Sequence, residues 1–242
     1  ARQAIEAFQN CRAAGFQNIS IDLMYGLPGE TLSTWQQDLD QALLLHPEHL
    51  SAYHLIYEED TVLWKLREQH KVEEADEDLS VSLFSTLIDR LTSEGYDHYE
   101  ISNFSLPGLY SRHNSSYWTE KKYLGCGPSA HSYNGVSRQW NVASLDTYIK
   151  GISAGTPVFE IEELDLYTRY NDFVITRIRT EWGMPLSKLR DEFGEKLYDY
   201  CLRMAAPHLK QGTLELVNDI LKLTRKGIFI SDGIMSDMLW TD

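Results

Sequence analysis

Apolar positions in the first hundred residues switch between strand-like and helix-like spacing. Ile19, Ile21 and Leu23 alternate in NISIDLM, and a helical pattern with Trp35 and Leu39 on one face follows. HLSAYHL and DHYEIS are two further strand patterns, and helical patterns separate all three. Such alternation predicts βα units with a parallel sheet. Three units are too few to close an eight-stranded barrel of about 250 residues, so we expect part of a barrel or an open sheet.

The second half of the chain has a different pattern. SLDTYIKGISAG predicts a helix, TPVFEIEELD a connector with a weak strand signal, and three helical patterns cover Leu166–Glu181, Pro185–Phe193 and Glu195–Gln211. Two strand patterns, TLELVN and ILKLT, precede a last helix that ends near Leu239. Helices followed by a small β-ribbon predict a winged-helix-like arrangement. We therefore predict an α/β part over 1–158, with a central loop over 103–143, and a helical, winged-helix-like domain over 159–242.

The chain starts within a helical pattern. Ala4, Ile5, Phe8 and Cys11 fall at helical spacing, and Gly15 is a helix stop signal. No strand pattern precedes this helix to give it a sheet to pack on. We therefore expect the rest of the barrel to lie upstream in a longer protein.

Charge and composition narrow the classes of partner. The formal net charge is −14, from 36 acidic and 22 basic residues, which argues against nucleic acid because phosphate contacts need clustered Lys and Arg. No apolar run approaches the roughly 18 residues of a membrane span. Cys11, Cys126 and Cys201 are far apart and odd in number, which fits a reducing cytoplasm and lacks the spacing of a metal cluster. We predict a cytoplasmic protein with no metal site in this chain.

Tyr96–Tyr133 is the stretch on which the functional interpretation depends. It packs His113, His131, Cys126, several glycines and many aromatic residues into sequence without helical or strand period. Loops of this kind commonly carry binding and catalytic residues. We expect it to join the barrel to the terminal domain and to close the barrel mouth.

IDLMYGLPGET places Asp22 near the carboxyl end of a predicted buried strand. In parallel α/β folds this end faces the ligand, and a carboxylate there can accept hydrogen bonds from ribose hydroxyls. Gly26 and Gly29 let backbone approach a ligand closely. The other interpretation is that Asp22 pairs with a neighbour and the glycines only form a βα turn. Spacing alone does not decide between the two.

SRHNSSYW brings His113, Asn114, Tyr117 and Trp118 together. An imidazole beside flat aromatic rings is typical of a site for haem iron or another planar ring. An ordered surface loop whose aromatics cover the core would have the same composition.

YLGCGPSAHSY predicts a constrained turn at Gly125, Gly127 and Pro128. Such a turn can approach a ligand closely, begin a helix at Ser129 whose amides bind an anion, or serve only as a loop. Cys126 is expected to be a small buried apolar residue.

Together these three motifs, IDLMYGLPGET, HYEISNFSLPGLYSRHNSSYW and YLGCGPSAHSY, resemble the oxygen-independent coproporphyrinogen III oxidase-like family of radical SAM proteins. RHNSSYW resembles its haem-chaperone branch more than its coproporphyrinogen dehydrogenases. LTRKGIFISDGIMSDML resembles the family's terminal domain. The resemblance implies a radical SAM partial TIM barrel, in which an upstream C-x3-C-x2-C loop holds a [4Fe-4S] cluster that binds S-adenosylmethionine.

The resemblance also assigns residues. Asp22 and Met24 would contact S-adenosylmethionine, Ile56 and Gly127 would line the same cavity, and His113 matches the position of haem ligation in the haem-chaperone branch. Two residues depart from the family pattern. Glu30 stands where Gln is usual, with little consequence expected, and Ser129 stands where Gly is usual, so a positive φ there would be penalised.

The function expected from this resemblance is haem binding and transfer to an acceptor protein. Oxidative decarboxylation of coproporphyrinogen III on the same scaffold is the enzymatic alternative, and docking through the terminal domain is the non-enzymatic one. We expect no catalytic residue and no radical chemistry in this chain itself, and the sequence indicates no oligomeric state.

Overall fold

The strand patterns of the first half of the chain pair into one sheet. The computed structural model describes residues 2–241, and the chain divides into two compact units, the first ending at Ser111 and the second beginning at Arg112. The first unit contains helices α1 (Arg2–Ala13), α2 (Leu32–Leu43), α3 (Val62–Glu68) and α4 (Glu77–Ser93). Its strands are β1 (Ser20–Tyr25), β2 (His49–His54), β3 (Asp97–Glu100) and β4 (Asn103–Ser105).

The sheet is parallel only where β1 meets β2. Its order is β1–β2–β4–β3, and β4 runs antiparallel to both of its neighbours. The three predicted strands β1, β2 and β3 therefore run in the same direction, and the prediction of a parallel sheet is wrong only in omitting β4, which lies between β2 and β3 and is joined to β3 by Ile101 and Ser102. A connection this short permits only an antiparallel hairpin, since a parallel crossover needs a dozen or more residues.

Two helices cover one face of this sheet. Trp35 and Leu39 of α2 and Leu83 and Leu87 of α4 are almost completely buried, and the Trp35 indole nitrogen donates to the Leu83 carbonyl oxygen at 3.0 Å. α2 begins at a capping box in which Thr31 and Thr34 exchange side-chain and backbone hydrogen bonds. The apolar face of the sheet is thus the one that packs against α2 and α4. The side chains at the alternate strand positions lie on the opposite face.

Six helices and six strands are described in the second unit, within residues 112–241. The helices are α5 (Arg112–Trp118), α6 (Leu145–Ser153), α7 (Leu166–Ile178), α8 (Leu186–Gln211), α9 (Arg225–Ile228) and α10 (Ser231–Met238). The strands are β5 (His131–Tyr133), β6 (Ser137–Asn141), β7 (Phe159–Glu163), β8 (Met184–Pro185), β9 (Leu214–Val217) and β10 (Ile220–Leu223).

These strands form two antiparallel sheets, ordered β5–β6–β7 and β8–β10–β9. The β9–β10 pair is the ribbon predicted from TLELVN and ILKLT. The domain boundary predicted at residue 158 lies within the second unit and stays a prediction, as does the winged-helix-like description.

The segment predicted as a loop over 103–143 contains β4, α5, β5 and β6. The loop prediction is wrong for these residues because each element is too short to show a period in the sequence. The last predicted helix is also interrupted, between Ile228 and Ser231.

The core of the second unit lies between α7, α8 and the small β8–β10–β9 sheet. Phe173 and Ile178 of α7, Leu189 of α8 and Leu221 of β10 are fully buried. The Tyr170 hydroxyl donates to the Met238 carbonyl oxygen at 3.1 Å and so attaches α10 to α7. Within residues 2–241, no helix is both long and apolar enough to cross a membrane.

Candidate functional site

Asp22 lies on the face of the first sheet that α2 and α4 leave uncovered. It pairs in register with Ser51, and its side chain is exposed, as are those of Ser20 and Met24. The prediction of a buried strand is wrong for this face, since only the Tyr25 end of β1 is buried. Among the described residues the Asp22 carboxylate has no hydrogen bond or ion pair. The geometry therefore favours a free carboxylate over one paired with a neighbour.

Met24 and Ile56 lie at the carboxyl edge of the two parallel strands. Met24 pairs in register with Tyr53 near the end of β2, and Ile56 follows two residues after that strand ends at His54. Their side chains are 50% and 71% exposed. This edge of the first unit thus presents two accessible apolar side chains beside the Asp22 carboxylate, and the contacts with S-adenosylmethionine implied for all three residues stay predictions.

The turn after β1 is closed by the Glu30 side chain. Its carboxylate accepts hydrogen bonds from the backbone N–H groups of Gly26 at 2.6 Å and Leu27 at 3.2 Å. Gly26 has a φ of 74°, and a Cβ atom there would lie 2.6 Å from the His54 Nε2 atom, so a side chain would be strained and would clash. A Gln amide oxygen could accept the same two bonds, which is the physical reason to expect little consequence from Glu30.

A buried histidine network on the same polar face was not found in the sequence. His49 contacts the Ser20 hydroxyl through Nδ1 at 2.8 Å and the Tyr99 hydroxyl through Nε2 at 2.7 Å. Burial lowers the pKa of His49, although the nearby carboxylates of Asp22 and Glu100 oppose the shift. Burial raises the pKa of Tyr99 to about 12. The strand period places positions 20 and 22 on one face, but the pairing of Ser20 with His49 depends on the register between β1 and β2, which the sequence does not give.

His113 is exposed on α5, where the sequence predicted a loop. Tyr117 lies one turn further along, and its hydroxyl is 3.2 Å from the His113 Nε2 atom. The two rings meet edge to face with centroids 5.2 Å apart, and Tyr117 in turn contacts Tyr123 at 5.0 Å. Because i and i+4 positions share a helix face, the helix places the imidazole at the end of a row of aromatic rings.

Trp118, the last residue of α5, is held differently from His113. The Arg179 guanidinium carbon lies 4.4 Å from the centroid of its ring, which is a cation–π contact. Its indole nitrogen is buried and has no hydrogen-bond partner among the described residues. The RHNSSYW motif therefore divides into an exposed His–Tyr pair and a half-buried tryptophan.

The turn around Gly127 leads into a strand rather than a helix. Gly127 has a φ of 119°, and its N–H group donates to the Tyr148 hydroxyl at 2.9 Å. The Asn141 amide donates to the Gly127 carbonyl oxygen at 2.9 Å. Both bonds hold the turn against α6 and β6, and β5 begins at His131. The alternative of an anion-binding helix start at Ser129 is wrong, and the ligand contact of Gly127 stays a prediction.

Two neighbours of Gly127 refine this picture. Ser129 does have the positive φ, 57°, that the sequence marked as costly for a residue other than Gly. Cys126 is exposed, so the prediction of a buried position is wrong. It lies between two glycines in a turn, and a turn leaves a small side chain little surface to pack against.

The described residues do not fit the iron–sulfur cluster that the resemblance implies for the family. Cys11 and Cys126 are exposed and Cys201 is buried in the core of the second unit. Within residues 2–241, no group of three or more His, Cys, Asp or Glu side chains is arranged to hold a metal ion. Haem would need only one accessible axial ligand from the chain, and the exposed imidazole of His113 meets that requirement.

Comparison with known proteins gives the fold class first. The E. coli coproporphyrinogen III oxidase HemN, described as a radical SAM enzyme, matches 97% of this chain with a TM-score of 0.77 and 20% identity, over 58% of its own chain. A likeness at this identity shows the fold alone. The chain thus has the mixed α/β fold of the matching part of HemN.

Sequence comparison then gives the proteins that this chain is similar to. Residues 164–230 match the model of the HemN C-terminal domain. The heme chaperone HemW of Mycobacterium tuberculosis is 32% identical over 98% of this chain and 59% of its own length. Heme chaperone HemW of Bacillus subtilis is 28% identical over 98% of this chain and 63% of its own length.

The chain is similar to HemN- and HemW-type proteins, which confirms the resemblance drawn from its three central motifs. It spans about three fifths of the length of these curated relatives.

Proposed function

We propose that the protein binds haem through His113 and passes it to an acceptor protein. The observation that carries the proposal is the exposed His113 imidazole at the end of an aromatic row on α5. The relatives named heme chaperone HemW, which are similar over nearly the whole chain, support it. Transfer needs a site that an acceptor can reach, and an exposed side chain on a short helix meets that condition.

The chemistry of this site follows from the two ring nitrogens of His113. Imidazole is the commonest protein ligand of haem iron and binds through either nitrogen when neutral. In the structure the Tyr117 hydroxyl occupies Nε2 at 3.2 Å, whereas Nδ1 has no hydrogen bond among the described residues. Ligation through Nε2 would therefore displace Tyr117, and ligation through Nδ1 would leave the His–Tyr pair intact.

Titration of haem into the chain and its His113→Ala variant tests the proposal. We expect the variant to lose the Soret shift of a ligated haem and at least tenfold of the affinity, which corresponds to about 1.4 kcal/mol. His131→Ala is the matched control, because His131 is also exposed and stacks on Trp140 at 5.9 Å. An unchanged Soret band and affinity in His113→Ala would remove His113 as a ligand.

Tyr117→Phe identifies which nitrogen binds. If Nε2 is the ligand, removing the competing hydroxyl should tighten binding, since no hydrogen bond must be broken first. If Nδ1 is the ligand, the variant should bind haem no more tightly than the unmodified chain. Oxidation of coproporphyrinogen III stays an alternative prediction for the whole protein, because the likeness to HemN carries only the fold.

A further inference from the structure

A cavity of about 220 Å³ lies in the second unit, beside the aromatic row that begins at His113. Tyr117 and Trp118 of α5, Tyr123 after it and Tyr133 of β5 supply its flat walls. Tyr117 belongs both to this wall and to the contact with His113. The cavity is smaller than the roughly 300–1,000 Å³ of pockets that enclose a drug-sized ligand. It has room for one edge or one substituent of a large planar molecule.

Charged groups also line the cavity, and two of them, Asp172 of α7 and Arg138 of β6, are paired with each other. The Arg138 guanidinium also lies 3.9 Å from Glu162. Burial raises the pKa of Asp172, and Arg138 only partly offsets this. Arg138 is therefore satisfied by the protein itself.

Glu120 is paired with two cations. Its carboxylate lies 2.8 Å from Arg177 and 2.7 Å from Lys188. Burial would raise the pKa of Glu120, but the hydrogen bonds from Lys188 and Arg177 outweigh it and lower the pKa. Glu192, a further carboxylate on the cavity wall, lies 3.4 Å from Lys188. These acidic residues are thus neutralised locally and do not make the cavity repel an anion.

Arg169 of α7 is a cavity cation that forms no direct ion pair in the part of the chain that the structure describes. Its Nε atom is buried without a hydrogen-bond partner. Asp165, one turn before it, uses its side chain to cap α7 at the Thr168 N–H group. The pKa of Asp165 is lowered first by hydrogen bonds from Thr168 and further by the charge of Arg169. A buried donor without an acceptor is costly, and a charged one more so.

The Trp118 indole N–H group is a second unmet donor on the same wall. It is buried without an acceptor, and Trp118 lines the cavity together with Arg169. A carboxylate is the ligand group that suits this pair of donors. It only accepts hydrogen bonds, and its negative charge would pair with the positive charge of Arg169.

We propose that this cavity receives a propionate-bearing edge of the tetrapyrrole whose iron is bound by His113. The inference rests on the proposed haem binding and adds the group that recognises the ligand's carboxylate. Arg169 supplies the charge, Trp118 a second donor, and the tyrosine rings pack against the edge of the macrocycle. The cavity does not have to enclose the whole ligand, which remains open to an acceptor.

Three ligands and one substitution test this site. Haem, haem with both propionates esterified, and iron-free protoporphyrin are titrated into the chain, Arg169→Gln, and Arg203→Gln as the matched control. Arg203 is an exposed arginine of α8 in the same unit, outside the cavity. Losing one charge-assisted hydrogen bond corresponds to about tenfold in affinity.

We expect the unmodified chain to bind haem about tenfold more tightly than its ester. Arg169→Gln should lose about the same factor for haem and protoporphyrin, with no loss for the ester and an unchanged Soret position. Arg203→Gln should behave as the unmodified chain.

Equal affinity of the unmodified chain for haem and for its ester would overturn the inference. This comparison uses no variant, so misfolding of a variant cannot affect it. So would an Arg169→Gln variant that keeps its full affinity for haem. Failure of the haem proposal gives a different result, because His113→Ala would then leave the Soret band unchanged while protoporphyrin binding still depended on Arg169.

Discussion

His49 shows how one buried side chain on the polar sheet face acquires a fixed protonation state. Its two ring nitrogens meet hydroxyl groups of Ser20 and Tyr99 at 2.8 and 2.7 Å, and the residue is 3% exposed. In a neutral imidazole one ring nitrogen donates a hydrogen bond and the other accepts one. One of the two hydroxyl groups can accept and the other can donate, so the neutral ring satisfies both contacts. Protonation would add a charge without adding a free acceptor, which is why burial lowers the pKa.

A stability change between pH 7.5 and 5.5 follows. The unfolded chain takes up a proton on His49 near the ordinary pKa of 6.5, while the folded protein resists it. The unfolded state then binds more protons, so the free energy of unfolding falls as the pH falls. One site with this unfolded pKa contributes at most about 1.4 kcal/mol over this range. His49→Gln should lose this part of the pH dependence, measured by urea unfolding at both pH values.

His70→Gln is the control, because His70 is exposed and its substitution should leave the pH dependence as it is. If His49→Gln kept the same difference in unfolding free energy between the two pH values, the neutral, buried state of His49 would be wrong.

Individual residues were predictable from the sequence where a local rule applied. The alternation in NISIDLM placed Asp22 and Met24 on one strand face, and the replacement of Gly by Ser129 correctly marked a strained backbone position. The exposure of Cys126 was mispredicted, although its place between two glycines in a turn is visible in the sequence. The absence of an ion pair at Arg169 was not predictable, because it depends on which groups from distant segments pack nearby.

Among the helices, α8 shows what a single glycine does to an element. The helical pattern predicted two segments, Pro185–Phe193 and Glu195–Gln211, and the structure confirms the break between them, because the backbone of Gly194 within α8 is not helical. Gly194 has φ 79° and ψ 171°, a region of backbone space that is essentially restricted to glycine. Phe193 and Leu197, on the two sides of this break, are both buried in the core.

Gly194→Ala should therefore lower the free energy of unfolding by about 1–3 kcal/mol. Steric crowding would not be the cause, because a Cβ atom at Gly194 would meet nothing within 4 Å. The matched control is Gly233→Ala in α10, which also has open space but no positive φ. That substitution should be neutral or stabilising by up to about 1 kcal/mol, as alanine favours a helix interior. Equal destabilisation of the two variants in denaturant unfolding would contradict the backbone argument.

Long periodic elements were the ones that the sequence predicted well. β1, β2, α2, α4, α7 and the β9–β10 ribbon lie close to their predicted positions. The misses are α5 with seven residues, β4 with three and β8 with two. A helix of two turns or a strand of three residues has too few positions for a period, and these elements exist because their neighbours pair with them. The missed α5 carries His113, so the sequence proposed this candidate residue from its type but placed it in a loop instead of a helix.

At the scale of the whole molecule, the fold and the charge favour different partners. The second unit has a long helix followed by an antiparallel ribbon, an arrangement that often accompanies DNA binding. The chain nevertheless carries a formal net charge of −14. α8 itself mixes both signs, and its cations are partly used in ion pairs, such as Lys188 with Glu120 and Arg190 with Glu195.

Gel retardation with duplex DNA at low ionic strength tests whether the fold of the second unit or the net charge of the chain determines DNA binding. We expect no retardation of duplex at about 50 mM salt, where phosphate contacts are strongest. Nucleic-acid affinity comes mainly from releasing counterions by clustered Lys and Arg, and a net acidic chain also repels the duplex over roughly a Debye length, about 10 Å at 0.1 M. The control is a charge-reversed variant with Asp191→Lys, Glu195→Lys and Asp199→Lys on α8, which should increase non-specific binding if charge is the obstacle. Salt-sensitive retardation by the unmodified chain would show that the chain binds nucleic acid despite its overall charge, and would contradict the prediction that nucleic acid is not its partner.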